Sequence, residues 1–453
     1  MSAKDTAAGI HRELRVRAAS IGLVATVLLV VAAIAIPLLT GWDVRAGSFA
    51  PLHSILVLRV GPGTPAAILL AVAAVAFAPR VVRWPWRRLL VAVYGYGVAW
   101  MLALATVYGL DGVGAILDHR TEYLETARTV TDIGATLRDY IAHIPLDSEA
   151  NWPVHLAGHP PGALLFFVVL VRIGLGSALA AGVVITLIAG STALAVMATA
   201  LRLGGETFAR RAAPFLAVGP AAIWMCVSAD AMFAAVAAWA TLLLTVAATS
   251  RRTTVVVLAG VGSGILYGYC VMLSYGLPLL GILAITVLVL TRSWRPLPFA
   301  VVGAMTVVGV FAWAGFAWWE ALPVLRDRYW AGIASDRPGA YWTWANLAAV
   351  AVCAGPWVGA GLGVAVVDAR ARGDDPRSRA RRRIAFLALA GLAMCVAATL
   401  SQMSRAEVER IWLPFVPWML LATGLLPERW RRSGLIVQVA FAIVVQTLLY
   451  TRW

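Results

Sequence analysis

Charge is what this chain has least of: 13% of its 453 residues are charged, against about 25% in an ordinary soluble domain. With 61% hydrophobic residues and a mean hydropathy of +0.83, it lacks the polar surface needed to face water on all sides. Cysteine is scarce as well. Cys226, Cys270, Cys353 and Cys395 all lie in apolar runs without CxxC spacing, which excludes a disulfide framework or a zinc site and leaves four small buried residues. Period-two alternation is missing from the apolar runs, and that excludes a membrane barrel. No internal repeat or low-complexity tract divides the chain, so residues 1–453 read as a single integral membrane domain. No small-residue cleavage site follows the first apolar run, which therefore reads as a retained span.

What is present is a succession of apolar runs near 20–40, 64–80, 89–109, 161–176, 178–201, 212–228, 231–249, 254–274, 276–291, 297–319, 343–368, 384–401, 411–426 and 434–450. Most approach the ~20 residues a helix needs to cross the hydrocarbon core with all its backbone bonds internal. The formal net charge of +15 sits in short connections: Arg80, Arg83, Arg87 and Arg88; Arg251 and Arg252; Arg292 and Arg295; Arg370 to Arg383; Arg429, Arg431 and Arg432. That placement is the positive-inside signature of a multi-pass protein of the cell membrane and argues against a nucleic-acid partner.

A cytoplasmic N-terminus carrying Arg12, Arg15 and Arg17, followed by three crossings, puts 111–160 outside. Walking back from the basic 369–383 segment, with its solvated Gly373-Asp374-Asp375-Pro376 turn, puts 320–342 and the Asp230 corner outside. The two walks agree only if 161–201 holds one full crossing plus a partial or re-entrant segment. The expected fold is an all-α polytopic transmembrane helical bundle of about 13 crossings, with its C-terminus outside.

Chemistry-capable side chains gather in the external loop 111–160. It holds Asp111, Asp118, Glu122, Glu125, Asp132, Asp139, Asp147 and Glu149, eight of the chain's 22 acids, and His119, His143, His155 and His159, four of its six histidines. At ~50 residues it far exceeds an ordinary helix connection. Apolar stripes through Tyr123, Leu124, Ala127 and Val130, and through Ile133, Leu137, Tyr140 and Ile141, predict one or two amphipathic helices lying on the membrane face. Acids there either keep the loop solvated or serve as metal ligand, proton relay or general base.

Four further features lie outside by the same topology. His155-Leu-Ala-Gly-His159-Pro160-Pro161-Gly162 enters the membrane behind two prolines; its HxxxH pair suits a metal on a helix, but the prolines read more simply as a rigid cap. Ser228-Ala229-Asp230 stands at a turn where Asp230 can cap the next helix. Glu407, Glu409 and Arg410 precede Ile411-Trp412-Leu413-Pro414, and an arginine there either pairs with a neighbouring acid or takes a phosphate in its planar fork. Arg326, Arg328 and Arg337, among Tyr329, Trp330, Tyr341 and Trp342, are external arginines that suggest an anionic ligand, unless the aromatics mark an interfacial belt.

In order and spacing over residues 118–417 these motifs resemble the GT-C superfamily of membrane glycosyltransferases, and within it the protein O-mannosyltransferase and lipid A aminoarabinose transferase branch. The family's acidic first-loop motif, followed by Tyr and Ala-Arg, is similar to Asp118-His119-Arg120-Thr121-Glu122-Tyr123 with Ala127-Arg128. Its basic or histidine residue before Pro-Pro is similar to His159-Pro160-Pro161, its Ser/Thr-x-Asp turn to Ser228-Ala229-Asp230, and its late Arg-aromatic-Leu-x-Pro start to Arg410-Ile411-Trp412-Leu413-Pro414. If Tyr123 and Ala127-Arg128 set the register, His119 occupies the family's catalytic aspartate position, and the base falls to Asp118 or Glu122.

The resemblance implies inverting transfer of a sugar from a polyprenyl-phosphate donor to an acceptor hydroxyl on a lipid or glycan, outside the cytoplasmic membrane. Asp118 or Glu122 would be the base and Asp230 a second acid orienting acceptor or metal. Arg410 would hold the phosphate, with Tyr123, Arg128, His159, Arg326 and Arg328 lining the substrates. The resemblance names no definite cofactor and leaves room for a divalent cation. The competing classes are a transporter or lipid flippase, and a non-catalytic assembly factor for cell-envelope glycan. Transporters usually carry repeats and mid-membrane polar groups, whereas the polar residues here collect at the external face.

Overall fold

The structure is a computed structural model that describes residues 3–47 and 49–451. It is an all-helical bundle, and among the described residues the named strands are one antiparallel pair, Ser54–Leu56 with Leu449–Thr451. Among the described residues, eight helices are long and apolar enough to cross a membrane, or ten if each of two bent pairs counts as one span. Three shorter apolar helices complete the set: Gly162–Arg172, Leu277–Thr291 and Val416–Leu425.

Hydrogen bonds sort the connections into two ends. At one end Arg210 donates to the Val82 and Trp84 carbonyls (3.1 and 2.7 Å), Arg383 donates to Leu203 (3.0 Å), and Arg15 meets Asp368 (3.1 Å). The arginine-rich connections thus sit together. At the other end Arg59 is held between the rings of Tyr108 and Tyr450 (4.2 and 4.1 Å), Arg328 donates to Trp152 (2.7 Å) and Arg337 pairs with Glu407 (2.8 Å).

The short helix Gly162–Arg172 starts and finishes at this second end. It follows His159-Pro160-Pro161, and at its far side Arg172 donates to the Thr131 carbonyl (3.1 Å) while Gly176 accepts from Arg128 (3.0 and 2.8 Å). Its 11 residues rise only about 16 Å. The full pass is made by the 25-residue helix Ala178–Arg202, capped by Ser177. The amphipathic helices of the long loop are Tyr123–Thr129 and Ile133–Asp139. Tyr123, Leu124 and Ala127 are buried, and the helix that carries them packs on Gly162–Arg172. That stripe is covered by the protein's own helix, where the sequence suggested a membrane face.

Four apolar runs are broken where the sequence reads continuous spans; one is 212–228, divided between Glu206–Val218 and the one-turn helix Ala222–Met225. The run 343–368 is two helices, Gly339–Ala354 and Trp357–Arg370, bent by 106° at Gly355-Pro356. Gly355 has φ +84°, and buried Gln438 satisfies the interrupted backbone, donating to the Ala354 carbonyl (2.8 Å) and accepting from Trp357 N (3.4 Å). The run 297–319 ends at Trp313, and the expected loop beyond it is half helix: Trp318–Ala331 turns away by 73°.

The run 411–426 breaks into Val408–Ile411, Val416–Leu420 and Leu421–Leu425, as Pro414 and Pro417 dictate. All of 408–426 except partly exposed Ile411 is buried. Helices Glu206–Val218, Trp357–Arg370 and Pro376–Leu400 enclose it, the shielding that irregular backbone at this depth requires. A Cβ on Gly424 would stand 2.3 Å from the Phe208 carbonyl oxygen, so only glycine permits that approach.

Candidate functional site

Four short pieces of chain deliver the side chains that meet at the acid-bearing end. Glu122 occupies the N-cap position of Tyr123–Thr129 in an extended conformation, and its carboxylate makes no capping bond. It turns inward instead. His155 lies on the one-turn helix Val154–Ala157 and Arg410 on the one-turn helix Val408–Ile411. Asp230 is the second residue of Ala229–Thr249. The expected capping role falls to Ser228, whose hydroxyl accepts from Ala231 N (3.3 Å), and Asp230 is left to face the interior.

Arg410 Nη1 stands 3.4 Å from Asp230 Oδ2 and 3.8 Å from Glu122 Oε1. His155 Nδ1 is 2.7 Å from Glu122 Oε1, and its Nε2 is 3.3 Å from Arg410 Nη2. The ring thus stands between the two charges, Nδ1 toward the carboxylate and Nε2 toward the guanidinium. Glu122, Asp230 and Arg410 are 4%, 2% and 3% exposed, so these charges answer to one another rather than to water. Glu122 Oε2 and Asp230 Oδ1 make no hydrogen bond.

Burial alone would raise the Glu122 pKa. His155, by charge and hydrogen bond, and Arg410 outweigh it and hold the carboxyl below its ordinary range. Tyr123 beside it is stacked on Phe167 at 5.4 Å, and burial, then the Asp230 and Glu122 charges, push its phenol well above the ordinary range. His159 Nδ1 donates to the His155 carbonyl (2.8 Å), and the ring lies between the Tyr123 and Phe233 rings, each 5.9 Å away. Enclosure by these neighbours lowers its pKa, so it is neutral at pH 7.

The two histidines of the HxxxH pair therefore face different partners. Among the described residues no group of three His, Cys, Asp or Glu is placed to hold a metal ion. The protein ligands open to a cation at this place are Glu122 Oε2 and Asp230 Oδ1, with Arg410 already beside both carboxylates.

The other sequence candidates lie apart. Asp118 pairs with Arg128 at 2.7 Å, with side chains 45% and 39% exposed, and Arg128 is further tied to the Gly176 carbonyl. Of the two candidate bases, Glu122 is the one that reaches Arg410, and Arg410 links it to Asp230. Arg326 is exposed on helix Trp318–Ala331. Arg328 clamps the loop through the Ile144 and Trp152 carbonyls. Arg337, which suggested an anion, is spent on Glu407 and on the Arg405 carbonyl (2.8 and 2.5 Å). The partnership of His155 with Glu122 was missed; the sequence offered His155 only as half of a metal pair. The one available signal was that a buried acid in a histidine-bearing loop needs a donor.

Comparison with known protein families, with curated proteins and with solved structures returned no match.

Proposed function

We propose that this chain is a GT-C-like glycosyltransferase that moves a sugar from a polyprenyl-phosphate donor to a hydroxyl of a lipid or glycan acceptor, with inversion. The reaction takes place at the acid-bearing end of the bundle, on the outer face of the cell membrane. The observation that carries this reading is the meeting of Glu122, Asp230 and Arg410, three segments far apart in the chain, in one desolvated set. The accompanying topology has the N-terminus cytoplasmic and about 13 passes between the two ends, with Gly162–Arg172 as the partial one.

Glu122 is the base. Its Oε1 is held by the His155 N–H, and its Oε2 has no hydrogen-bond partner, so Oε2 takes the proton of the acceptor hydroxyl. The acceptor oxygen then attacks the anomeric carbon from the face opposite the phosphate. The bond from that carbon to the phosphate oxygen breaks, and the leaving polyprenyl phosphate carries the charge. Arg410 stabilises that charge with its planar fork. Its contacts with the two carboxylates, at 3.4 and 3.8 Å, are long for charge-assisted bonds. A phosphate drawn to Arg410 loosens its hold on Glu122 and makes that carboxylate more basic, so donor binding and base activation are coupled. Asp230 keeps Arg410 oriented and faces the acceptor. His155 is a positioning residue, fixing the Glu122 carboxylate through Nδ1. Because the set is out of contact with water, substrates have to part the loop helices from the bundle.

That closure also favours a second reading, a transporter whose acid–arginine–histidine set carries a coupled proton. Transfer from labelled polyprenyl-phosphate sugars in native membranes separates the two. Glu122→Gln is expected to lower transfer roughly 10²–10⁴-fold in protein that still inserts, Asp230→Asn to impair it, and Asp118→Asn to leave it nearly unchanged. Full transfer by Glu122→Gln would remove Glu122 as base, and no transfer with any donor would leave the transporter reading.

A further inference from the structure

The opposite end of the bundle holds a second charge cluster that the proposed reaction does not use. Asp368 is fully buried, its Oδ1 3.1 Å from Arg15 Nε and its Oδ2 3.9 Å from Arg381 Nε, and the two arginine side chains are 16% and 18% exposed. The pair with Arg381, at 3.9 Å, is too long for a hydrogen bond and holds by charge alone. Arg15 Nη2 donates to the Leu425 carbonyl (2.5 Å), and Arg431 Nη1 donates to the adjacent Leu426 carbonyl. Successive carbonyls at the end of the broken central segment thus draw two guanidinium groups together, a favourable place for cations at a helix C-terminus.

Arg211, Arg377 and Arg381 are further electrostatic neighbours of Arg15, and Arg211 is also a neighbour of Arg431. Against these five arginines stand Asp368 and the exposed Glu428, a surplus of three positive charges (five minus two). An arginine that only marks the cytoplasmic face extends into water. Arg15 and Arg431 are instead tied back into the bundle by the backbone, and partly desolvated surplus charge calls for an anion with several oxygen acceptors.

A groove beside the cluster indicates which anion. An apolar cavity of about 510 Å³ lies between helices Gly63–Val81, Trp86–Ala105 and Glu206–Val218. Its wall includes Arg80, Val82 and Trp84, the connection that Arg210 grips, and Pro214, one turn from Arg211. An apolar slot opening at a cationic rim matches an acyl chain joined to a phosphate headgroup.

We propose that this end of the bundle binds an anionic phospholipid, its phosphate among Arg15, Arg211 and Arg431 and a chain in the groove. The assignment is independent of the glycosyltransferase reading. The test uses the purified full chain in detergent, titrated with phosphatidylglycerol, phosphatidylcholine or inorganic phosphate, with bound lipid followed by native mass spectrometry and the unfolding midpoint followed by heating. Phosphatidylglycerol is expected to bind at least tenfold more tightly than phosphatidylcholine and to raise the midpoint. The Arg211→Gln/Arg431→Gln double variant is expected to lose that preference with its phosphatidylcholine binding unchanged. Asp368→Asn, which removes the internal anion, is expected to shift the preference the other way. Equal phosphatidylglycerol binding by the wild type and the double variant would overturn the site. Stabilisation by inorganic phosphate equal to that by phosphatidylglycerol, without lipid preference, would overturn the lipid in favour of a soluble anion.

Discussion

The two ends of the bundle solve the same problem with opposite arithmetic. At one, two buried acids, Glu122 and Asp230, share a single arginine, Arg410, with His155 completing the contacts. At the other, a single buried acid, Asp368, sits among several arginines. In each cluster the minority charge is the one whose loss leaves like charges facing each other out of water, so it should matter most to stability. The majority charge is the one in surplus, and the two proposed sites draw on it: an acceptor proton at the acidic end, a phosphate at the basic end.

The sharpest way to break this comparison is Arg410→Gln. It strands Glu122 and Asp230 without their cation, and the expected loss is about 3–5 kcal/mol in denaturant unfolding from detergent. A loss below about 1 kcal/mol would mean the acids find other compensation. Asp368→Asn removes the minority charge at the other end. The expected loss there is smaller, about 1–3 kcal/mol, because Arg15 and Arg381 retain some contact with water and can turn outward.

A third, smaller effect is a pH slope. His159 has a lowered folded pKa, so the unfolded chain takes up a proton near pH 6.5 that the folded chain refuses. Stability from this group is fully present above that pH and is lost as pH falls toward the folded value. Unfolding midpoints should therefore decline from pH 7 to 5.5 in the wild type and decline less in His159→Gln; equal slopes would remove His159 from the desolvated set. Glu122, also lowered, acts further down: its contribution is complete above about pH 4.5 and is lost below it. The smallest effect is Asp118→Asn. Its half-exposed bridge to Arg128 should be worth about 0–1 kcal/mol, and a larger loss would show that the loop surface and the buried set are not separate.

The all-helical architecture is legible in the sequence, because the length of an apolar run is a local property. The parity conflict over 161–201 is an example: arithmetic on the connections required a partial segment, and the structure shows Gly162–Arg172 returning to its own end. The breaks were less legible. Gly355-Pro356 and Pro414 are visible breakers, yet hydropathy averaged over a window passes through them. The group that makes the first break tolerable, Gln438, lies over 80 residues away and looks like one polar residue in an apolar run.

The site shows the same division. Motif order named Glu122, Asp230 and Arg410, but spacing could not separate Glu122 from Asp118. What separates them is that Arg128, fastened to Gly176, draws Asp118 outward, a tertiary contact that nothing local encodes.

The scattering of the buried charges along the chain has a consequence for biogenesis. His155 and Arg410 are 255 positions apart, roughly 13–50 seconds of synthesis at about 5–20 residues per second. Throughout that interval Glu122, and for much of it Asp230, has entered the membrane region without its counter-charge. The acids must wait in hydrated or protonated form, and the acid-bearing end can dry out only when the proline-broken segment behind Arg410 threads into the waiting helices. A ribosome stalled short of residue 410 would leave a bundle with its apolar walls largely assembled and its polar centre still wet, a natural target for membrane quality control.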